Sequence, residues 1–215
     1  MKKFKKLELK DYSFKPTGPN PHLEDYEDLF SLCYPGDEKL NKEYLKWIYL
    51  DNPHGKVIGF DAYQGDILVA HYAVIPRVFR YKNETILGSM SLNTATAPNH
   101  QGKGLFKKLA TKTYELASNN NIKFVCGIAN QNSIYAFEKS LGFNKIGSVE
   151  LALLGGEKNK TVNYLELDKD IEWLQWRLKN PSNNYSLIER KNKLIISCKI
   201  KNINFNLFEG EISET

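Results

Sequence analysis

Apolar residues in the first part of the chain recur every three or four positions. Leu23, Tyr26, Leu29, Phe30 and Cys33 share one face of a predicted helix, which Pro35-Gly36 ends. Leu40, Tyr44, Leu45, Trp47 and Ile48 repeat the spacing and predict a second amphipathic helix, stopped at Asn52-Pro53. The period then shortens. Residues 57–63 and 67–78 predict two strands around a tight Gln64-Gly65-Asp66 turn, and residues 84–96 a third after Lys82-Asn83. Beyond them the pattern alternates. A helix is predicted over 104–118, with Leu105, Leu109, Tyr114 and Leu116 as its main apolar residues, and Asn119-Asn120-Asn121 breaks it. A buried strand follows at 122–128, then a helix at 133–141 stopped by Gly142, then a strand at 143–154. Strand, helix, strand at this spacing predicts a parallel pair with a right-handed crossover. The expected fold class is α/β: a mixed, mostly antiparallel sheet with flanking helices.

After Gly155-Gly156 the chain starts over. Leu45-Lys46-Trp47 before Asn52-Pro53 is echoed by Leu174-Gln175-Trp176 before Asn180-Pro181. Each is followed by two strand patterns, at 185–189 and 194–200 in the second case. The expected division is one domain over 1–150 and a β-rich segment over 151–215, an incomplete second lobe without its own site.

The 215 residues are 41% hydrophobic and 26% charged, enough for a sizeable core with an ordinary soluble surface. No apolar run approaches a membrane span, and the basic start lacks the apolar stretch of a signal peptide, so a cytoplasmic protein without membrane contact is expected. Cys33, Cys126 and Cys198 are too few and too scattered for a disulfide framework or a cysteine zinc site, and no metal is expected. The net charge of +5 is spread along the chain, with no aromatic-basic platform for nucleic acid.

Lysines do cluster beside one motif. Residues 94–106 join a strand to a helix, and Gly102 and Gly104 let the backbone turn tightly and approach a ligand closely. The first turn of the following helix offers unpaired N–H groups and the positive end of its dipole, a site for phosphate or pyrophosphate. Lys103, Lys107 and Lys108 add charge. Neither the P-loop spacing nor the dinucleotide-fold spacing is met.

This segment resembles the pyrophosphate loop of the GNAT N-acetyltransferase family: Arg or Gln, two residues, Gly, one residue, Gly or Ala. Gln101, Gly104 and Phe106 fall on those positions, Phe106 being a departure. Ala97-Pro98 before the loop, Asn130 after the predicted parallel strand, and Glu138-Lys139-Ser140-Leu141-Gly142-Phe143 also look like the family. The last is one residue longer than the family's ending. The likeness covers residues 57–149.

The resemblance implies acetyl-CoA as co-substrate and a small-molecule amine as acceptor. Gln101, Gly102, Lys103, Gly104, Leu105 and Phe106 would hold the pyrophosphate. Leu92, Asn93, Thr94, Ala95 and Thr96 would pair with the pantetheine arm as an added strand does. A backbone N–H near Asn93 or Thr94 would polarise the thioester carbonyl, and Asn130 would bond the pantetheine. Many members place a tyrosine seven residues after that asparagine; here Phe137 stands there, and Tyr135 is the nearby candidate. His71 is the candidate base. His100 abuts the loop, and Cys126 is read as core. Trp47 and Tyr49 are candidates to line the acceptor pocket. The segment around Asn52-Pro53-His54-Gly55 and His71-Tyr72 resembles a subgroup associated with cell-surface sugar biosynthesis, which points to an amino-sugar nucleotide as acceptor. The alternative is a CoA-binding sensor or scaffold without turnover. Exposed strand edges in the C-terminal segment make a homodimer an expectation.

Overall fold

The longest apolar run becomes the centre of the sheet. In the computed structural model, which describes residues 8–82, 84–131, 133–147, 165–190, 193–200 and 203–211, strand β3 (Ile67–Tyr81) is buried from Leu68 to Arg77. A strand covered on both faces needs an apolar residue at nearly every position, and this one supplies it. Strands β2 (Ile58–Gln64) and β4 (Glu84–Thr96) flank it, both antiparallel. Strand β1 (Ser13–Pro16) pairs with β2 on one side. Strand β5 (Val125–Gly127) pairs with β4 in parallel, and the two-residue β6 (Glu166–Leu167) pairs with β3 at Phe79 and Arg80. Among the described residues the result is a six-stranded sheet, mostly antiparallel as the sequence predicts.

Helices α1 (Leu23–Cys33) and α2 (Lys42–Tyr49) cover one face. Helices α3 (Leu105–Asn119) and α4 (Ile134–Leu141) pack on the other. Local chemistry fixes their ends. Asn41 caps α2 by accepting the Tyr44 N–H at 3.0 Å, and Gly142 closes α4 in the left-handed conformation at φ 72°.

Strand β3 divides its side chains between the two cores, and a bulge sets the division. Leu68 packs toward α1 and α2, whereas Val69 and Ala70 both pack toward α3. The extra residue falls where the β2 register shifts between Ala62 and Tyr63. From Ala70 onward alternation resumes, with Tyr72 and Val74 toward α3 and Ala73 and Ile75 toward α2.

Two expectations change. The strand predicted over 122–128 shrinks to Val125–Gly127. The Ile122 N–H turns back to the Ala117 carbonyl at 3.1 Å to close α3, and Ile128 is 74% exposed, so this is a short edge strand rather than a buried one. Of the strand predicted over 143–154, residues 143–147 hold no regular structure, and the remainder lies outside the described residues. Among the described residues the parallel unit is β4, α3 and β5.

The C-terminal part contributes α5 (Ile171–Leu178) and an antiparallel sheet of β7 (Tyr185–Arg190), β8 (Lys193–Ile200) and β9 (Ile203–Glu211). Helix α5 packs on α2 through a reciprocal pair. Trp47 Nε1 donates to the Trp176 carbonyl at 2.8 Å, and Trp176 Nε1 donates to the Trp47 carbonyl at 2.9 Å. The rings stack with centroids 4.3 Å apart. Arg77 lies over Trp176 and Arg177 over Trp47. Burial, and then Arg177, press the Arg77 pKa down to about 10, so it stays charged at neutral pH.

His54 sits beside this cluster, its Nδ1 accepting the Val78 N–H at 3.2 Å. Burial, then Arg77, lower its pKa from the ordinary value. On acidification the unfolded chain takes up this proton first, near pH 6.5, so stability is full above that pH and declines below it. Melting temperatures measured from pH 7.5 to 5.5 are expected to fall, and His54→Gln is expected to flatten that slope.

Candidate active site

The β3–β4 ladder contains a second irregularity. His71 pairs with Ala95 and Ala73 with Leu92, which leaves Asn93 and Thr94 together opposite Tyr72. Asn93 takes φ 50°, a left-handed conformation that asparagine tolerates better than most residues. This bulge turns the backbone of β4 outward.

A buried polar chain lies behind it. Asp61 faces His71 across the β2–β3 ladder. Asp61 Oδ1 is 2.6 Å from His71 Nδ1, and Tyr49 Oη is 2.9 Å from His71 Nε2. Asp61 Oδ2 accepts the Tyr26 hydroxyl at 2.6 Å and the Thr17 hydroxyl at 3.2 Å. A carboxylate only accepts, so His71 Nδ1 donates to Asp61, and in the neutral imidazole Nε2 accepts from Tyr49. Burial drives the Tyr49 pKa well up; Asn93, whose Nδ2 is buried beside it, works against that rise. From the α1 side the Tyr34 hydroxyl donates to the Thr94 carbonyl, gripping the bulge.

On the other side β4 loses its neighbour among the described residues. The β4–β5 pairing ends at Ser91 and Gly127. Past that point Leu92 to Thr96 present an edge, and a cavity of about 630 Å³ opens beside Ser91, Gly127, Ala129 and Phe137.

The same strand leads into the glycine turn. Gly102 and Gly104 have φ 70° and 79°, and Gly104 immediately precedes α3. Among the described residues a Cβ at Gly102 would meet nothing within 4 Å, and one at Gly104 only Leu9 at 3.9 Å, so the described residues leave the space above the turn open. Leu105 is buried and Phe106 packs against Tyr72 and Phe137, which leaves their main chain facing out. Gln101 Nε2 donates to the Thr96 carbonyl at 3.1 Å, and Lys103 Nζ donates to the Asn99 carbonyl; both side chains brace the turn.

The remaining candidates scatter. Ala95 is buried in the α1–α2 core. Asn130 Oδ1 accepts the Ser133 N–H at 3.0 Å at the start of α4. Tyr135 is 70% exposed on α4. Trp47 is stacked on Trp176 and lines a separate cavity of about 660 Å³ between α2 and α5. His100 Nδ1 lies 3.0 Å from the Tyr12 hydroxyl. Cys126 is half-buried, its thiol raised by burial. Asp61, Tyr26 and Tyr34 escaped the sequence reading, although a hairpin closing at residues 64–67 puts Asp61 within one register step of His71. Among the described residues no group of acidic, cysteine or histidine side chains could hold a metal. No described helix is long and apolar enough to cross a membrane.

Residues 17–145 match the family model described as an acetyltransferase (GNAT) domain. The chain belongs to the GNAT acetyltransferase family. Among solved structures, an acetyltransferase of Clostridium acetobutylicum with acetyl-CoA aligns with a TM-score of 0.51 at 20% identity, over 66% of this chain and 96% of that one. A Trypanosoma brucei acetyltransferase aligns with a TM-score of 0.51 at 15% identity, over 67% and 100%. An aminoglycoside acetyltransferase from an uncultured soil sample, in complex with sisomicin, gives 0.50 at 17% identity, over 67% and 98%. These likenesses confirm the fold. The search of curated proteins returns no match.

Asp61→Asn keeps the size but turns an amide toward groups that donate. It is expected to cost about 2–4 kcal/mol of stability, the range for breaking a buried charged network. Urea unfolding measures it, and Asp61→Glu is expected to recover little in so closed a site.

Proposed function

We propose that the chain transfers an acetyl group from acetyl-CoA to the amino group of a small molecule. The observation that carries this reading is one strand with three features in succession. Strand β4 loses its partner after Ser91, bulges at Asn93 and Thr94, and ends in an open glycine turn at the start of α3. An extended arm with an anionic end fits that order. The free edge from Leu92 to Thr96 offers main-chain groups to amides of the arm. Gly102, Gly104 and the first turn of α3 offer N–H groups to the pyrophosphate, with Lys103, Lys107 and Lys108 nearby. Asn130, in the loop between β5 and α4, would bond the arm. Acetyl-CoA would supply a thioester, whose carbonyl an N–H of the bulge would polarise.

In the reaction the amine nitrogen bonds to the carbonyl carbon, the C–S bond breaks, and the nitrogen loses a proton. His71 has both ring nitrogens engaged and no exposed surface, so it acts through Tyr49 or not at all. Tyr135, on the surface, serves only if α4 turns inward. An amino sugar is the acceptor to try first, because a sisomicin-bound enzyme shares the fold.

Residues 165–211 we read as a partial second lobe. Support comes from the paired helices α2 and α5, each with a tryptophan bonded to the other's main chain, and from matching turns after them. The His54 N–H meets Asn52 Oδ1 at 3.3 Å, and the Ser182 N–H meets Asn180 Oδ1 at 2.9 Å.

Thermal melting with acetyl-CoA, CoA and a control nucleotide tests the main reading. A ligand at a hundred times its dissociation constant adds about 2.7 kcal/mol. A rise with acetyl-CoA that Gly104→Val abolishes is expected, because the left-handed turn cannot accept a branched side chain. No rise at millimolar acetyl-CoA overturns the reading. Binding without thiol release across a panel of amines would leave a CoA-binding protein without turnover.

A further inference from the structure

Three hydroxyls run in a line from helix α3 to the cavity beside β4. Tyr72 Oη is 2.6 Å from Tyr114 Oη and 2.8 Å from Ser91 Oγ. Tyr72 is fully buried, and Ser91 lines the cavity. Either member of each pair could donate, but a phenol is the more acidic hydroxyl and the better donor. The favoured order is Tyr114 to Tyr72 to Ser91, which leaves the Ser91 proton for what enters the cavity. Burial raises the pKa of both tyrosines, so the row stays protonated.

The place of Ser91 along β4 gives the row a purpose. It is the last residue of β4 paired with β5, two positions before the bulge. An arm entering from the glycine turn runs past Thr96 and Leu92 and stops where the strands close. The wall there is mainly Gly127, Ile128, Ala129 and Phe137, which have no polar side-chain group. A sulfur at the end of the arm would meet one hydroxyl, backed by two more.

We propose that Ser91 is a catalytic residue that donates a hydrogen bond to the departing sulfur, with Tyr72 and Tyr114 as positioning residues. This rests on the acetyl-CoA reading above. As the C–S bond breaks its electron pair goes to sulfur. Ser91 keeps its proton and stabilises the thiolate by the hydrogen bond, the amine nitrogen gives its proton to solvent, and solvent protonates the thiolate after release. A thiol with an ordinary pKa of about 8.5 needs no stronger acid.

The test needs no acceptor. The thiol of bound CoA is titrated by thiolate absorbance, as the difference between CoA-saturated and ligand-free protein. The bound thiol is expected to ionise with a constant roughly threefold or more above that of free CoA, the scale of one hydrogen bond. Ser91→Ala is expected to return it to the free value. Tyr72→Phe is expected to return part of it, and Ser91→Thr to retain the shift. Glu138 and Lys145, which also line the cavity, are common to all variants. CoA should raise the melting temperature of each variant, showing that the site still binds. Equal ionisation constants in wild type and Ser91→Ala, both binding CoA, overturn the proposal while leaving the acetyl-CoA reading intact. If CoA fails to stabilise even the wild type, both fall.

Discussion

A carboxylate inside a protein must be surrounded by donors, and Asp61 shows how much can be organised around one. Its oxygens gather a histidine from β3, a tyrosine from α1 and a threonine from the segment that leads out of β1. The histidine in turn holds the last residue of α2. Four elements far apart in the chain are thus fixed by groups that cannot exchange their partners for water. The aromatic rings around the imidazole, Tyr26 at 4.5 Å and Phe30 at 5.9 Å between centroids, keep water out and make each bond costly to break. The network lies directly behind the bulge of β4, since His71 pairs with Ala95 just past it.

Most of this architecture was legible in the sequence. The helical spacing from Leu23 to Cys33, the alternation along β2, and the limits of β4 at Glu84 and Thr96 follow from periodicity and turn residues alone. The glycine turn was legible too, because a conformation only glycine adopts freely leaves glycine in the sequence. The buried relay was not. A regular hairpin closing at Gln64 and Ile67 would set Phe60 opposite His71, and the bulge at Val69 moves Asp61 there instead. One inserted residue changes which side chains meet, and no periodicity records it. The short β5 failed for another reason: an apolar run reads as a buried strand wherever its residues end up.

The hydroxyl row and the buried relay lie on opposite faces of the same strand, through Tyr72 and His71. Neighbouring residues of β3 point into different cores and reach β4 on either side of its bulge. The single bulge at Val69 sets that parity for both.

The glycine turn offers a ligand little but its main chain. Leu105 and Phe106 are turned into the core, Gln101 and Lys103 are bonded to carbonyls of the turn itself, and two glycines have nothing to offer beyond their peptides. Recognition written in the peptide backbone survives almost any exchange of side chains that preserves the bend. Descendants of one ancestor can therefore drift until few letters are shared and still hold the same anion in the same place. In such a lineage common descent persists as a shape long after it has faded as a text.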